Sequence, residues 1–249
     1  MEVHHHSLHE QGKKKHFKNY LFEFLLLFLA VTAGFFAENL RERYIERHRE
    51  KVLMRTLLED LRTDISQIDS LTVKRKKRNR ECDSLIHFLK FSPKGTQTAF
   101  IYLFGRRITR RMHFHPQDVA LRQLETSGGF RVVHDQVILD GLNSYRLLLI
   151  LNEENTAVEE KELTEYSGVA AKVFDAGIFQ EIIKCDTICM PAGNPLLVSY
   201  DPVLLNELCI KLHYWKRTSI TISESFETLK KNAEALLWLI KEKYHLKEK

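Results

Sequence analysis

The residues best placed to do chemistry are basic. Lys74, Arg75, Lys76, Lys77, Arg78 and Arg80 form one run, and Arg106, Arg107, Arg110 and Arg111 form a second, more localised one. The first has the composition of a nucleic-acid or anionic-lipid patch. Its residues fall in the middle of a helical pattern and point around the whole circumference, so a solvated helix face is the default reading. The second suits an anionic partner such as a polysaccharide or an acidic protein surface. The chain carries a formal net charge of only +5 in mixed signs, which excludes a polybasic nucleic-acid binder, and no nucleic-acid partner is expected.

Metal and thiol chemistry have thinner support. His4, His5, His6 and His9 cluster in a tail without the rigid surroundings a specific metal site needs. His113 and His115 flank Phe114 at strand-like spacing, but no third ligand is placed. Cys185 and Cys189 are four apart, wrong for a redox CxxC pair, though a disulfide would join them in an oxidising compartment. Cys82 and Cys209 read as small core residues. There is no phosphate-binding glycine loop, dinucleotide fingerprint, nucleophile elbow, HExxH or paired zinc-ligand spacing. The expectation is a protein without catalytic residues, bound metal or cofactor.

The elements that must position these residues begin with an apolar segment. Residues 21–37 read LFEFLLLFLAVTAGFFA, preceded by Lys13, Lys14, Lys15 and Lys18 and followed by a charged run. Seventeen helical residues rise roughly 25 Å, close to the thickness of a bilayer's hydrocarbon core, and Tyr20 extends them. The expected organisation is a tail over 1–19, a transmembrane helix over 20–37 and an extra-membrane bundle over 38–249. The rival reading is a cleaved secretory signal ending at Val31-Thr32-Ala33, which Glu23 and the long basic tail disfavour. Ala30, Ala33, Gly34 and Ala37 give the helix one small-residue face, through which two copies could associate in lipid. Arginines and lysines lie on both flanks. The N-terminal lysines favour a cytoplasmic N-terminus, with the larger part of the chain outside.

Beyond the membrane segment three apolar seams run at alternating spacings of four and three. The first is Met54, Leu58, Leu61, Ile65, Ile68, Thr72, Arg75, Asn79, Cys82, Ile86 and Leu89. The second runs from Ile138 to Val173, and the third from Leu208 to Ile240 behind an Asp201-Pro202 start. Ten glycines and five prolines in 249 residues leave such helices uninterrupted. The fold class is therefore mainly α: an elongated, antiparallel, coiled-coil-like three-helix bundle packed up-down-up. Residues 92–134 form a distal connection with short helices near Gln97–Phe104 and Pro116–Thr126, a turn at Ser127-Gly128-Gly129, and an extended Phe130–Val133. Residues 174–201 form a membrane-proximal connection whose Ile178, Phe179, Ile182, Ile183, Ile188 and Met190 plug the bundle base, the alternative being contact with lipid headgroups.

Each seam turns polar near its middle: Thr72, Arg75 and Asn79, then Asn152, Thr156 and Glu159, then Ser219. Matching the first two helices antiparallel brings Arg75 near Asn152 and within about one turn of Glu159. One shared polar layer is expected, with Arg75 and Glu159 as ion-pair partners fixing register. The alternative role for the layer is to hold a small polar ligand or to transmit a switch between the ends of the bundle.

Two segments, EFLLLFLAVTAGFFAENLRE (Glu23 to Glu42) and LRQLETSGGFRVVHDQVILDGLNSYRLLL (Leu121 to Leu149), resemble a group of uncharacterised single-pass proteins of Gram-negative bacteria. Those proteins have an N-terminal anchor and a helical extra-membrane domain with an ALxxLxxSGxFxxI–helix–Y segment. Leu121, Leu124, Ser127, Gly128, Phe130 and Tyr145 match it here. The resemblance covers about a fifth of the chain and implies a bacterial inner-membrane location with a periplasmic domain, and no catalytic residues. The expected function is an anchored scaffold or interaction protein, its partners the lipid bilayer, another copy through the membrane helix and a further protein. The alternative is an anchored sensor of a small polar or anionic ligand.

Overall fold

The computed structural model describes residues 11–126, 133–184 and 187–246. His4, His5, His6, His9, Cys185, the Ser127-Gly128-Gly129 turn, Phe130 and Val132 lie outside them. The chain divides into two compact units, Met1–Val52 and Leu53–Lys249. Helix α1 (Gln11–Phe91) is one element of 81 residues, as the missing breakers between Lys13 and Ser92 require.

In the first unit α1 is the described structure, and its apolar segment is exposed throughout, with Leu27 at 68% and Phe35 at 74%. Thr32 returns its hydroxyl proton to the Phe28 carbonyl at 2.7 Å, the usual way a hydroxyl is satisfied within a helix. Beyond the apolar segment, Arg41 pairs with Glu38 one turn back at 2.5 Å.

The second unit is a mainly α bundle of three long helices: the part of α1 after Leu53, α4 (Gln136–Ala170) and α6 (Pro202–Tyr244). Between them lie α2 (Thr98–Ile108), α3 (Val119–Thr126) and α5 (Ala176–Glu181), with a ribbon of β1 (Ile183–Lys184) against β2 (Thr187–Ile188). The boundaries follow local chemistry. Asp135 caps α4 by accepting from the amides of Val137 and Ile138. Asp201 caps α6 by accepting from Val203, with Pro202 in the first turn where no amide is needed. After α1, Ser92-Pro93 stops the helix and Gly95 turns the chain at φ +77°, a left-handed conformation suited to glycine.

The seams face inward. Met54, Leu61, Ile68, Ile138, Leu142, Ile222, Leu229 and Leu236 belong to one core with α3 and Phe114. Cys82, Leu85, Tyr166, Val173, Leu208, Leu212 and Trp215 belong to a second with α2. Burial holds the Cys82 thiol up at about 12 and that of Cys209 at about 11, so both are inert core groups.

The direction of the first pair departs from the up-down-up expectation. Asp64 meets Tyr145 and Arg75 meets Glu159, so residue numbers rise together and α1 and α4 run parallel. Helix α6 is antiparallel to both: Asp69 pairs with Lys230 and Cys82 meets Leu212 on one side, and Glu165 pairs with Lys211 on the other. The reason lies in residues 107–120, which do not cap one end but run back along α1. Along this crossover Arg107 meets Glu81, the Arg110 carbonyl meets Arg78, and the Met112 carbonyl meets Arg75. Further on, His115 meets Gln67, the Gln117 amide meets Asp64, and the Ala120 amide meets Asp60. The retraced length of α1 is roughly 30 Å, within the reach of the crossover when extended.

The placement of residues 174–201 is corrected with it. Because α4 runs parallel to α1, this connection starts beside the last turns of α1 and packs on α2, so both connections share one end of the bundle. Tyr102 of α2 donates to the Leu196 carbonyl and accepts from the Asp175 amide. Ile182 and Ile188 are buried with Leu103, while Ile183 and Met190 stay exposed.

Candidate anion cleft and buried polar layer

The two cores are separated by charge. Arg75 is buried, and its guanidinium takes Glu159 in a two-pronged pair: Nη1 donates to Oε1 at 2.7 Å and Nη2 to Oε2 at 2.9 Å. Nη1 also donates to Ser219 Oγ at 3.3 Å, and Nη2 to the Met112 carbonyl at 3.1 Å. The guanidinium carbon lies 5.7 Å from the centre of the Phe226 ring. Arg75 Nε has no partner among the described residues, so one donor of this group is left over inside the bundle. One residue from each long helix therefore meets in a single layer.

Asn152 and Thr156, expected in the same layer, do not join the pair. The Thr156 hydroxyl donates to the Asn152 carbonyl one turn back, and buried Asn152 Oδ1 lacks a partner among the described residues. Both line a separate cavity of about 560 Å³ bounded by His113, Phe114, Arg146 and Glu153. The His113 and His115 rings lie 6.0 Å apart, and His113 Nε2 is 3.4 Å from Glu160. Among the described residues no group of three metal-binding side chains converges.

The crossover brings the two basic runs together, which neither run reveals alone. A cleft of about 500 Å³ lies between α1 and the crossover, lined by Lys74, Lys77, Arg78, Glu81, Arg107, Arg110, Arg111 and Met112. Lys74, Lys77, Arg78 and Glu81 share one face of α1 at helical spacing. Glu81 is the one carboxylate in the lining and is held by Arg107 at 2.9 Å. Arg111 is 3.9 Å from Glu160. Lys74 and Lys77 are exposed and have no hydrogen bond or ion pair among the described residues. Arg78 donates to the Arg110 carbonyl. Burial lowers its pKa to about 10, with Arg75 and Arg110 pushing the same way against Glu159 and Glu81.

Not every basic residue joins. Arg106 bonds the Thr109 hydroxyl at 2.6 Å and stacks over Phe179, away from the cleft, and Lys76 and Arg80 are exposed outside the lining. The small-residue face of Ala30, Ala33, Gly34 and Ala37 is fully open, with nothing within 4 Å of a Cβ built on Gly34.

Two acids were missed in the sequence. Asp64 accepts from the Gln117 amide at 2.8 Å and from the Tyr145 hydroxyl at 2.5 Å, and Asp60 accepts from the Ala120 amide at 3.0 Å. Burial raises Asp64 to about 6 against the lowering effect of those bonds. The available signal was their spacing of four along α1, beside the apolar seam.

No protein-family model, curated protein or solved structure matches the chain. Function therefore rests on the geometry.

Proposed function

We propose that this is a single-pass, membrane-anchored helical protein whose bundle serves a structural or interaction role and catalyses no reaction. In this reading the N-terminus is cytoplasmic, the bundle is periplasmic, and the chain belongs with the Gram-negative inner-membrane group that its two segments resemble. The observation that carries it is the α1 segment long and apolar enough to cross a membrane, none of it buried. Leu21, Phe22, Phe24, Leu25, Leu26, Leu27, Phe28 and Leu29 are all largely exposed. Each would gain roughly 1.5–3 kcal/mol on leaving water, which a bilayer supplies. The flanking charges and Tyr20 suit the two interfaces. The open face at Gly34 suits self-association in lipid, where close backbone approach drives pairing.

Alkaline carbonate washing of membranes tests the anchor. The full chain is expected to stay with the lipid. Leu26→Lys with Leu29→Lys, at about 3 kcal/mol each in mid-bilayer, is expected to release it. A wild-type chain that washes off ends the reading. Alkaline phosphatase fused after Lys249 is expected to be active, and an inactive fusion reverses the orientation. Gly34→Ile is expected to lower the cross-linked dimer yield; an unchanged yield removes the helix face from the interface.

A further inference from the structure

We propose that the cleft between α1 and the crossover binds a small ligand bearing two or more phosphate groups, either a soluble polyphosphorylated compound or the headgroup of a diphosphate lipid. This goes beyond the anchoring role and does not depend on it. Six cationic side chains face one carboxylate in the lining, already engaged by Arg107, and outside the lining Glu160 lies 3.9 Å from Arg111. The whole chain has a net charge of only +5, so the cleft gathers an excess that the rest of the molecule lacks. Like charges drawn together repel, and an anion bound among them relieves that repulsion.

Geometry narrows the ligand. From Lys74 to Glu81 the cleft follows two turns of α1, about 10 Å, longer than a single tetrahedral phosphate can bridge. Facing this row, Arg107, Arg110 and Arg111 stand on the crossover, so charge comes from both walls. The guanidinium fork fits phosphate oxygens and the lysines add mobile point charge. A phosphate brings about −1.5 to −2 of charge, so two offset most of the positive excess that a single carboxylate or phosphate would leave largely unbalanced. A volume of about 500 Å³ is that of a small-molecule site. Arg78, half-buried between exposed Lys74 and Lys77 and the crossover, adds a fixed charge held by its bond to the Arg110 carbonyl.

The test is calorimetric titration of inorganic tripolyphosphate into the full chain in neutral detergent micelles at about 0.1 M salt. Saturable one-to-one binding is expected, weaker for orthophosphate. Lys74→Ala with Lys77→Ala should weaken it by roughly tenfold or more, whereas Lys76→Ala with Arg80→Ala, removing equal charge outside the lining, should change it by less than about twofold. All four side chains are exposed, so both variants keep the fold, which their unfolding midpoints verify. Doping the micelles with cardiolipin separates the sources. Competition that disappears in the Lys74/Lys77 variant assigns a lipid headgroup, and its absence assigns a soluble ligand. No saturable binding, or equal losses in both double variants, overturns the proposal. So does a single-stranded oligonucleotide that outcompetes tripolyphosphate in the same cleft-dependent way.

Discussion

Removing one member of the buried Arg75–Glu159 pair should harm the bundle more than removing both. In Glu159→Leu the guanidinium stays between the two apolar cores with only the Ser219 hydroxyl and the Met112 carbonyl as partners. An uncompensated buried charge of this kind costs about 3–5 kcal/mol. Arg75→Met leaves the Glu159 carboxylate buried without its donors, at a similar cost. The double variant Arg75→Met with Glu159→Leu keeps side-chain volume and removes both charges. Two terms oppose each other there: the lost pair, with 2.7 and 2.9 Å bonds, and the relieved desolvation. The second is usually at least as large, so the double variant should lie between neutral and about 4 kcal/mol more stable than wild type. The coupling energy is then several kcal/mol, far above the roughly 0.5 kcal/mol scatter of independent sites. Urea unfolding followed by tryptophan emission reads it. Trp215 is fully buried in the second core and Trp238 is 61% exposed, so the red shift reports the bundle. Additive single costs, or a double variant less stable than either single one, would refute the account of a buried, mutually compensated pair.

Three further outcomes follow from the same packing. Asp64 has a folded pKa raised to about 6, so its contribution to stability is fully present below pH ~4 and is lost as pH rises through 6. A shift of about two units makes this roughly 3 kcal/mol, so the stability of Asp64→Asn relative to wild type should rise by about that much from pH 4 to 8; a flat difference in urea midpoints sinks the assignment. Gly105→Ala places a Cβ 2.6 Å from the Phe174 ring, which is held against Tyr102 and Phe179, so overpacking should outweigh the helix-propensity gain and cost about 1–2 kcal/mol. An unchanged thermal midpoint would show that the ring moves freely. Asp201→Ala removes the acceptor for the Val203 amide and should cost about 1 kcal/mol, read as a lower urea midpoint at unchanged slope.

The seams were legible because burial repeats with the helix. Leu208, Leu212, Trp215, Ser219, Ile222 and Phe226 are all buried, as their spacing requires. The Arg75–Glu159 pair was legible for a reason that does not involve helix direction. Both residues lie about one turn past the middle of their seams, and reversing one helix keeps the two polar stretches together while moving Arg75 from opposite Glu159 to opposite Asn152. Direction itself was not legible, because a four-three apolar repeat reads the same both ways. Antiparallel matching thus brings the right two polar stretches together in the wrong topology. Asn152, which antiparallel matching sets opposite Arg75, exposes the difference by lining another cavity together with Thr156. The cleft was hidden for the same reason: its two basic runs are about 30 residues apart and meet only once the crossover doubles back.

What sets the direction is a polar stripe on α1 rather than the seam. Asp60, Asp64, Gln67, Leu71, Arg75 and Arg78 follow one another at four-three-four-four-three spacing and share one face of the helix. A segment without regular secondary structure, such as 109–118, must find partners for its backbone groups wherever it is covered. The stripe supplies them in order. Arg78 and Arg75 donate to the carbonyls of Arg110 and Met112, and Gln67 both donates to the His115 carbonyl and accepts from its amide. Asp64 and Asp60 then accept from the amides of Gln117 and Ala120. Donor side chains thus serve the first half of the crossover and acceptors the second. Reversing the crossover would set aspartates against carbonyls and arginines against amides. Laying it elsewhere on α1 would leave several backbone groups unpaired, at about 1–3 kcal/mol each where they are buried. The parallel arrangement of α1 and α4, and with it the meeting of the two basic runs, follows from that order of side chains along one helix face.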